Sequence, residues 1–575
     1  MIQKQPSLRS LFNRFYSSLT GNQQRQYAKM VVYSLANILL DLFGLALLFA
    51  TAVSVLDAQF LTKLPFLQNF IFGLGWNPKA ASLLLLGLLV VLFIFKSMLA
   101  IFIGKRQLQF SFNIASNAAI QRFKQFLNAK IQQHKEVKSA ESINQITAIT
   151  DHMASYLITS SIIFFSETSF LTLALFILAI FNIKLLLFAL LLFLPPVLIL
   201  LLSHRHKIVE YGNRMNELRP KLYESVSNAV FGFTDIKLLA KEAEFLQQFS
   251  EVQAQMIKDR TKLQVLTSII PPRMLEIAAI LGLFVISLYA YLFNDNQNIA
   301  TILALVASMA FRILPSVNRI VQAVQSFKAS SFVLNYLDYD KTEVDFEKAA
   351  PLSFESSMVV NNLGFRHEPE IPLLEGLDLV INAGDFVGIG GPSGSGKSTL
   401  MNCLAGFYEA QKGEVIIEKQ PIKDVMRSWQ RIISYVEQDA FVLAGTLAEN
   451  LAFGSKKLNA EEAWKALDQV SLKRWVESLP DGLQTVVGEH GSKISSGQQQ
   501  RLVLARALYG KAKVFFFDEA TNALDDQTKF EVMDSLVKMN ESGITIVIVA
   551  HDRDVMKYCK QVYELKKGKL YAKGS

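Results

Sequence analysis

The sequence predicts an α-helical six-span transmembrane domain followed by an α/β P-loop NTPase nucleotide-binding domain. Three observations carry that prediction. Six long apolar runs lie before residue 335, the Gly-rich segment at residues 391–399 follows a short apolar strand, and strand-like runs then alternate with helical stretches. The chain has 575 residues, 51% of them hydrophobic and 19% charged, with a mean hydropathy of +0.28, too long for one domain and too apolar for an ordinary soluble protein. The expected divisions are a membrane domain at 1–335, a linker at 336–353 and a nucleotide-binding domain at 354–575.

Each span follows from its charge content. Residues 30–56 contain only Asp41, 80–104 only Lys96, 152–183 only Glu167, and 296–314 only Arg312, while 185–203 and 277–294 contain no charge. About 20 largely apolar residues cross the hydrocarbon core as a helix. The stretches 105–144, 205–228 and 237–266 keep helical character but turn polar and basic, as transmembrane helices do when they extend into the cytoplasm. The turns at 57–79, 182–184 and 294–298 are then external, the first of them apolar enough for a short interfacial helix or a packed loop. Both termini and the nucleotide-binding domain fall on the cytoplasmic side of a cytoplasmic (inner) membrane.

The net charge of +8 fits basic cytoplasmic flanks, and no nucleic-acid partner is expected. Two cysteines, Cys403 and Cys559, exclude a disulfide-rich scaffold. Lys4, Arg9, Arg14, Arg25 and Lys29 precede the first run without the apolar core of a cleaved signal peptide.

In the second half, Gly391-Pro392-Ser393-Gly394-Ser395-Gly396-Lys397-Ser398-Thr399 has the phosphate-cradling pattern in its proper strand-to-helix context. Glycines let successive backbone N–H groups converge on phosphate oxygens. Lys397 is the expected β- and γ-phosphate contact and Ser398 a Mg²⁺ ligand, so ATP and Mg²⁺ are the expected cofactors. The apolar strand Val514-Phe515-Phe516-Phe517 ends in Asp518-Glu519, where Asp518 can orient the Mg²⁺ shell and Glu519 can polarise water. His551, after the strand-like run 544–549, is placed to touch the γ-phosphate.

With these motifs in place the chain resembles the ATP-binding cassette family along its whole length. The resemblance implies a Q-loop glutamine at Gln438, a metal and water contact. It also implies a signature segment in Ile494-Ser495-Ser496-Gly497-Gln498, whose Ser495, Gly497 and Gln498 would close on nucleotide bound to an opposite protomer. Asn522-Ala523-Leu524-Asp525 resembles the D-loop, His551 the switch histidine, and residues 485–491, reading TVVGEHG, the exporter-specific loop. His367 stands where an adenine-stacking tyrosine is usual. Six spans and one cassette are the layout of an exporter half-transporter, so the resemblance implies a homodimer, with a heterodimer as the alternative. The polar junctions at 139–147 and 228–237 fall where the family's coupling helices lie.

Charges inside a membrane are costly, so Lys96, Arg273, Arg312 and Arg319 are candidate substrate contacts, together suited to a polyanion. The competing reading is ion pairing, Arg273 with Glu276 and Lys96 with Asp41. The segment Phe311-Arg312-Ile313-Leu314-Pro315-Ser316-Val317-Asn318-Arg319-Ile320 is similar to bacterial lipid-linked oligosaccharide flippases. That similarity implies transport of an anionic lipid-linked or amphipathic substrate, with an exporter of peptides, drugs or other lipids, or an ATP-gated channel, as alternatives.

Overall fold

The computed structural model describes residues 7–56, 78–129, 131–132, 139–181, 183–293, 299–336, 350–368, 371–437, 441–455, 457–519 and 526–573. The chain divides into two compact units, one formed by residues 1–128 and 137–343, the other by 129–136 and 344–575.

The first unit is helical throughout its described residues. Its long helices are Gly21–Leu56, Pro78–Asn128, Thr159–Phe181, Ile183–Ser203, Arg205–Phe231, Glu242–Gln264, Ile270–Phe293 and Ile299–Ala329. A short amphipathic helix, Leu8–Ser18, precedes them; Ser7 caps it by accepting from the Ser10 N–H, and Leu11 and Phe15 form its buried face. Two apolar helices are entered through wide π-type turns, Met153–Ile158 and Val265–Ile269. Among the described residues four helical stretches are long and apolar enough to cross a membrane, five if the pair Leu190–Ser203 and Arg205–Phe231, bent by 43°, is one span. The expected sixth run, 296–314, begins outside the described residues, as do nearly all of the external turn 57–79 and the turn 294–298.

The unit is apolar on its outside. Leu83, Ile101, Ile180 and Leu191 are largely exposed, while Tyr27, Phe110, Ile114, Met153, Leu157 and Phe327 pack in its interior. A surface of that kind is stable against lipid tails and not against water, so this unit is membrane-embedded.

The second unit holds two sheets. The first has the order β2-β1-β4-β5, from Ser357–Glu368 (β1), Ile371–Asn382 (β2), Lys412–Ile417 (β4) and Gln420–Pro421 (β5). The second has the order β10-β9-β3-β8-β7-β6, from Phe386–Gly390 (β3), Ile433–Val436 (β6), Val514–Asp518 (β7), Thr545–Val549 (β8), Gln561–Lys566 (β9) and Lys569–Ala572 (β10). Strands β9, β3, β8, β7 and β6 are parallel, and β10 closes the edge antiparallel.

Strand alternation sorts the side chains of the second sheet onto two cores. Phe515, Phe517, Ile546 and Ile548 join one with the helical segment 447–509, whereas Val514, Phe516, Val547 and Val549 join the other with Val387, Ile389 and the helix Lys397–Leu404. Three consecutive phenylalanines are therefore all buried. The register pairs Ile389 with Val549 and Val549 with Asp518, so the ends of β3, β8 and β7 lie at one level. The carboxyl edge of a parallel sheet is where α/β folds bind ligands.

Candidate functional site

The Gly-rich loop leaves β3 and enters the helix Lys397–Leu404 at a left-handed Gly396, φ 98°. A side chain at Gly396 would come within 2.9 Å of Leu374 Cδ2, and a side chain at Gly391, φ 146°, would strike the carbonyl of Leu565. Glycine is required at both positions. Lys397 is only 4% exposed, and its ammonium donates to the carbonyl oxygens of Gly391 (3.1 Å) and Pro392 (3.0 Å). The loop thus wraps its own cation, which lies 3.7 Å from Glu519 Oε1.

Beside it, Ser398 Oγ donates to Asp518 Oδ1 at 2.9 Å and the Tyr435 hydroxyl donates to Asp518 Oδ2 at 2.9 Å. Burial, and then the adjacent Asp518 carboxylate, raise the Tyr435 pKa well above the ordinary phenol value, so the phenol stays a donor. His551 Nε2 lies 2.9 Å from Glu519 Oε1. Glu519 has φ 53°, a left-handed conformation that strains a non-glycine residue, and its N–H is tied to the Val549 carbonyl at 3.1 Å.

These contacts answer whether the residues suit nucleotide and metal. Ser395 Oγ is buried without a hydrogen-bond partner among the described residues, inside a loop that lacks side chains at Gly391, Gly394 and Gly396. Ser398 and Asp518 offer adjacent hard oxygens, the donor type that Mg²⁺ takes. The site fits ATP and Mg²⁺.

The structure brings Lys397, Ser398, Asp518, Glu519 and His551 together on one sheet edge, with Ser393 and Thr399 in the same loop and helix. His367 lies on β1, its side chain outside the described residues, as are Gln438 and the D-loop residues Asn522, Ala523, Leu524 and Asp525. Ser495 caps the helix Ser496–Tyr509 through a reciprocal pair of bonds: its hydroxyl accepts from the Gln498 N–H (3.3 Å), and Gln498 Oε1 accepts from the Ser495 N–H (2.9 Å). Gly497 is buried one residue inside that helix.

Two contacts were not read from the sequence. One is Tyr435 on Asp518; its only trace was a hydroxyl-bearing ring in the short strand Ile433–Val436. The other is Gln499, whose amide donates to the Gly491 carbonyl at 2.9 Å and so fastens the loop 485–491 to the signature helix.

Three of the four candidate membrane cations are ion-paired. Lys96 pairs with Asp41 at 2.6 Å, Arg273 with Glu276 at 2.8 Å, and Arg319 with Glu167 at 2.6 Å. The side chain of Arg312 lies outside the described residues. Each described cation has a carboxylate, so the premise that acidic partners are few fails for Lys96, Arg273 and Arg319. The physical reason is that pairing offsets most of the cost of removing charge from water.

Comparison with known proteins is consistent with this geometry. Residues 374–522 match the family model described as ABC transporter. The chain is 35% identical over 257 residues to the uncharacterized ABC transporter ATP-binding protein YwjA of Bacillus subtilis (strain 168), covering 43% of each chain. It is 26% identical over 374 residues to an ATP-dependent lipid A-core flippase of Saccharophagus degradans, covering 64% of this chain and 62% of that one. The matches thus span less than two thirds of either relative. A solved bacterial Atm1-family ABC exporter with ATP bound shares the fold, with a TM-score of 0.75, 19% identity and 96% coverage of both chains. The second unit is an ABC transporter ATP-binding domain that uses ATP with Mg²⁺, on a chain with the fold of an ABC exporter.

Proposed function

We propose that this chain is an ATP-driven half-transporter that works as a homodimer with six spans per protomer in the cytoplasmic membrane, cassettes on the cytoplasmic side. Its substrate is amphipathic and lipid-like. The observation that carries the proposal is the convergence of Lys397, Ser398, Asp518, Glu519 and His551 on the chain that also bears a lipid-exposed helical unit. Site and spans on one polypeptide suit the coupling of hydrolysis to translocation.

In this reading Lys397 leaves the carbonyls of Gly391 and Pro392 and takes up phosphate oxygens, and the loop N–H groups supply the remaining donors. Ser398 and Asp518, with Gln438, hold Mg²⁺, which supplies charge neutralisation at the transferring phosphoryl group. Glu519 orients the attacking water and accepts its proton, and His551 fixes the carboxylate that does so. Ser495, Gly497 and Gln498 complete the site of the opposite protomer, and His367 stacks on adenine. A helix N-terminus already shaped by the Ser495–Gln498 capping pair suits a phosphate.

The narrower form of the proposal is an anionic lipid-linked substrate, specifically a polyprenyl-diphosphate-linked oligosaccharide. It draws on the Phe311–Ile320 similarity and on Arg312 and Arg319, and the name of the lipid A-core flippase relative points to lipids more broadly. Ion pairing makes Lys96, Arg273 and also Arg319 weaker support. The test is reconstitution in proteoliposomes with cassette orientation measured. ATP-dependent protection of a fluorescent lipid-linked oligosaccharide from an external quencher, lost in Glu519→Gln and in Arg312→Ala/Arg319→Ala, supports the narrow form. ATP-dependent movement of another lipid alone discards it while keeping the exporter. ATPase activity without movement of any amphiphile tried sinks the transport proposal.

A further inference from the structure

A cavity of about 270 Å³ sits where the N-terminal helix Leu8–Ser18 meets the helices Thr159–Phe181 and Ile299–Ala329. Phe12, Phe164, Phe165 and Phe327 supply rings to its wall, with Leu8 and the exposed Arg9 from the N-terminal helix. The wall is well ordered by aromatic contact: the Phe12 ring meets Phe165 edge-on at 4.7 Å between centroids. The one hydroxyl of the lining with a described role, that of Ser161, accepts from the Tyr27 hydroxyl and donates to the Ile158 carbonyl, so it is already engaged. An open, apolar-lined cavity with so few free polar partners suits an apolar guest.

The charge around the cavity identifies the guest. Through residue 40 the chain carries Lys4, Arg9, Arg14, Arg25 and Lys29, and its first carboxylate is Asp41. The helix Leu8–Ser18 buries Leu11 and Phe15 in the protein interior while Arg9 and Arg14 stay exposed, so its basic side is left to face lipid headgroups. We propose that this cavity is a binding site for an anionic phospholipid of the surrounding membrane, with one acyl chain among the phenylalanines and the headgroup phosphate on Arg9. A neutral lipid would gain the apolar contact without the charge. The transported substrate is not involved, so the site stands whether or not the transport proposal does.

The site is tested on the full chain in detergent with Leu8→Trp as reporter, titrated with phosphatidylglycerol or phosphatidylcholine brominated in the acyl chains. The unsubstituted chain measures the background from its 4 native tryptophans. Phosphatidylglycerol should quench with an affinity about fivefold higher than phosphatidylcholine, as one interfacial cation provides. Arg9→Gln should remove that preference, Arg9→Lys should keep most of it, and Ala323→Leu, which narrows the cavity, should weaken quenching by both lipids. Basal ATPase activity should be unchanged in the Arg9 variants, which shows that they are folded. Equal quenching by both lipids with no effect of Arg9→Gln overturns the site in favour of general lipid solvation. Absence of quenching by either lipid overturns it in favour of residues 1–6 or nothing filling the cavity.

Discussion

The hydroxyl of Tyr435 donates to Oδ2 of Asp518 at 2.9 Å while Ser398 occupies Oδ1 of the same carboxylate, so a side chain from β6 fixes the acid at the end of β7. The phenol is held by Phe407 and Phe516, whose ring centroids lie 5.3 and 6.3 Å away. If Ser398 and Asp518 hold Mg²⁺ as proposed, Tyr435 would keep the carboxylate from rotating. Tyr435→Phe keeps the ring and removes only the donor. The half-saturating Mg²⁺ concentration for ATP hydrolysis should rise about 10-fold, the usual cost of losing a metal's outer-shell partner, with a smaller change in kcat at saturating Mg²⁺. Superimposable Mg²⁺ curves for the two proteins would remove Tyr435 from the site.

Glu519 stands in a left-handed backbone conformation between Lys397 and His551. Such strain persists only where neighbours over-determine it, here through the Glu519 N–H on Val549. Glu519→Gln preserves shape and hydrogen bonding but removes the proposed base. ATPase activity should fall by at least about 100-fold while nucleotide binding, followed with a fluorescent ATP analogue, is retained. Loss of binding in parallel would assign Glu519 to the phosphate cradle instead.

How much of this was legible in the sequence depended on whether chemistry was local. The Gly-rich loop, the Asp518-Glu519 pair and His551 each announce themselves because strand, turn and side chain are contiguous, and the parallel sheet needs only to align three strand ends. Tyr435 and Gln499 act across 83 and 8 residues respectively, and neither contact has a local pattern. Glu167 was visible as the lone charge of its run, but its partner Arg319 is 152 residues away. A cation in an apolar run reads as a ligand site from sequence because composition counts acids along one helix, whereas pairing is decided between helices. The span count meets a different limit, since the run 296–314 begins outside the described residues, among which four helical stretches, or five with the bent pair, are long and apolar enough to cross.

The Lys96–Asp41 pair predicts stability effects where a substrate site predicts transport effects. Lys96 is 18% exposed and Asp41 3%, and the bond is 2.6 Å long. Asp41→Asn leaves an uncompensated ammonium and should destabilise the membrane unit by about 3 kcal/mol, seen as a lower melting temperature in detergent. Combining it with Lys96→Met should recover most of the loss. If the double variant is no more stable than Asp41→Asn, the pair is not what holds these positions.

Both thiols should be inert in the folded chain. Burial pushes Cys403 and Cys559 up to about 12, so at pH 8 only about one thiol in ten thousand is thiolate. Reaction with a disulfide reagent should be slow at that pH, accelerate as pH rises toward 12, and become rapid in denaturant at pH 8. Fast native labelling of Cys403 would show that the core beside the helix Lys397–Leu404 opens readily.

Arg506 ties the signature helix to the segment that follows Gln438. Its guanidinium donates to the carbonyls of Asn450 (2.8 Å) and Phe441 (3.0 Å) and to Asn450 Oδ1 (2.7 Å), and it lies 4.4 Å from the centre of the Phe453 ring. Burial lowers its pKa to about 10, still far above neutrality, so the charge is retained. Asn450, fully buried, passes the constraint on through bonds to both backbone groups of Leu443. Lysine offers neither the planar fork nor the stacking face, so Arg506→Lys should behave much like Arg506→Ala. Each should lower the melting temperature of the cassette, the alanine variant costing about 3 kcal/mol of stability, where buried acceptors lose a charged donor. Hydrogen exchange should rise first at Leu443, whose N–H is held by Asn450 Oδ1, while the β3 and β8 amides stay protected. Uniform loss of protection across the second sheet would mean that Arg506 supports the whole cassette rather than the junction beside Gln438.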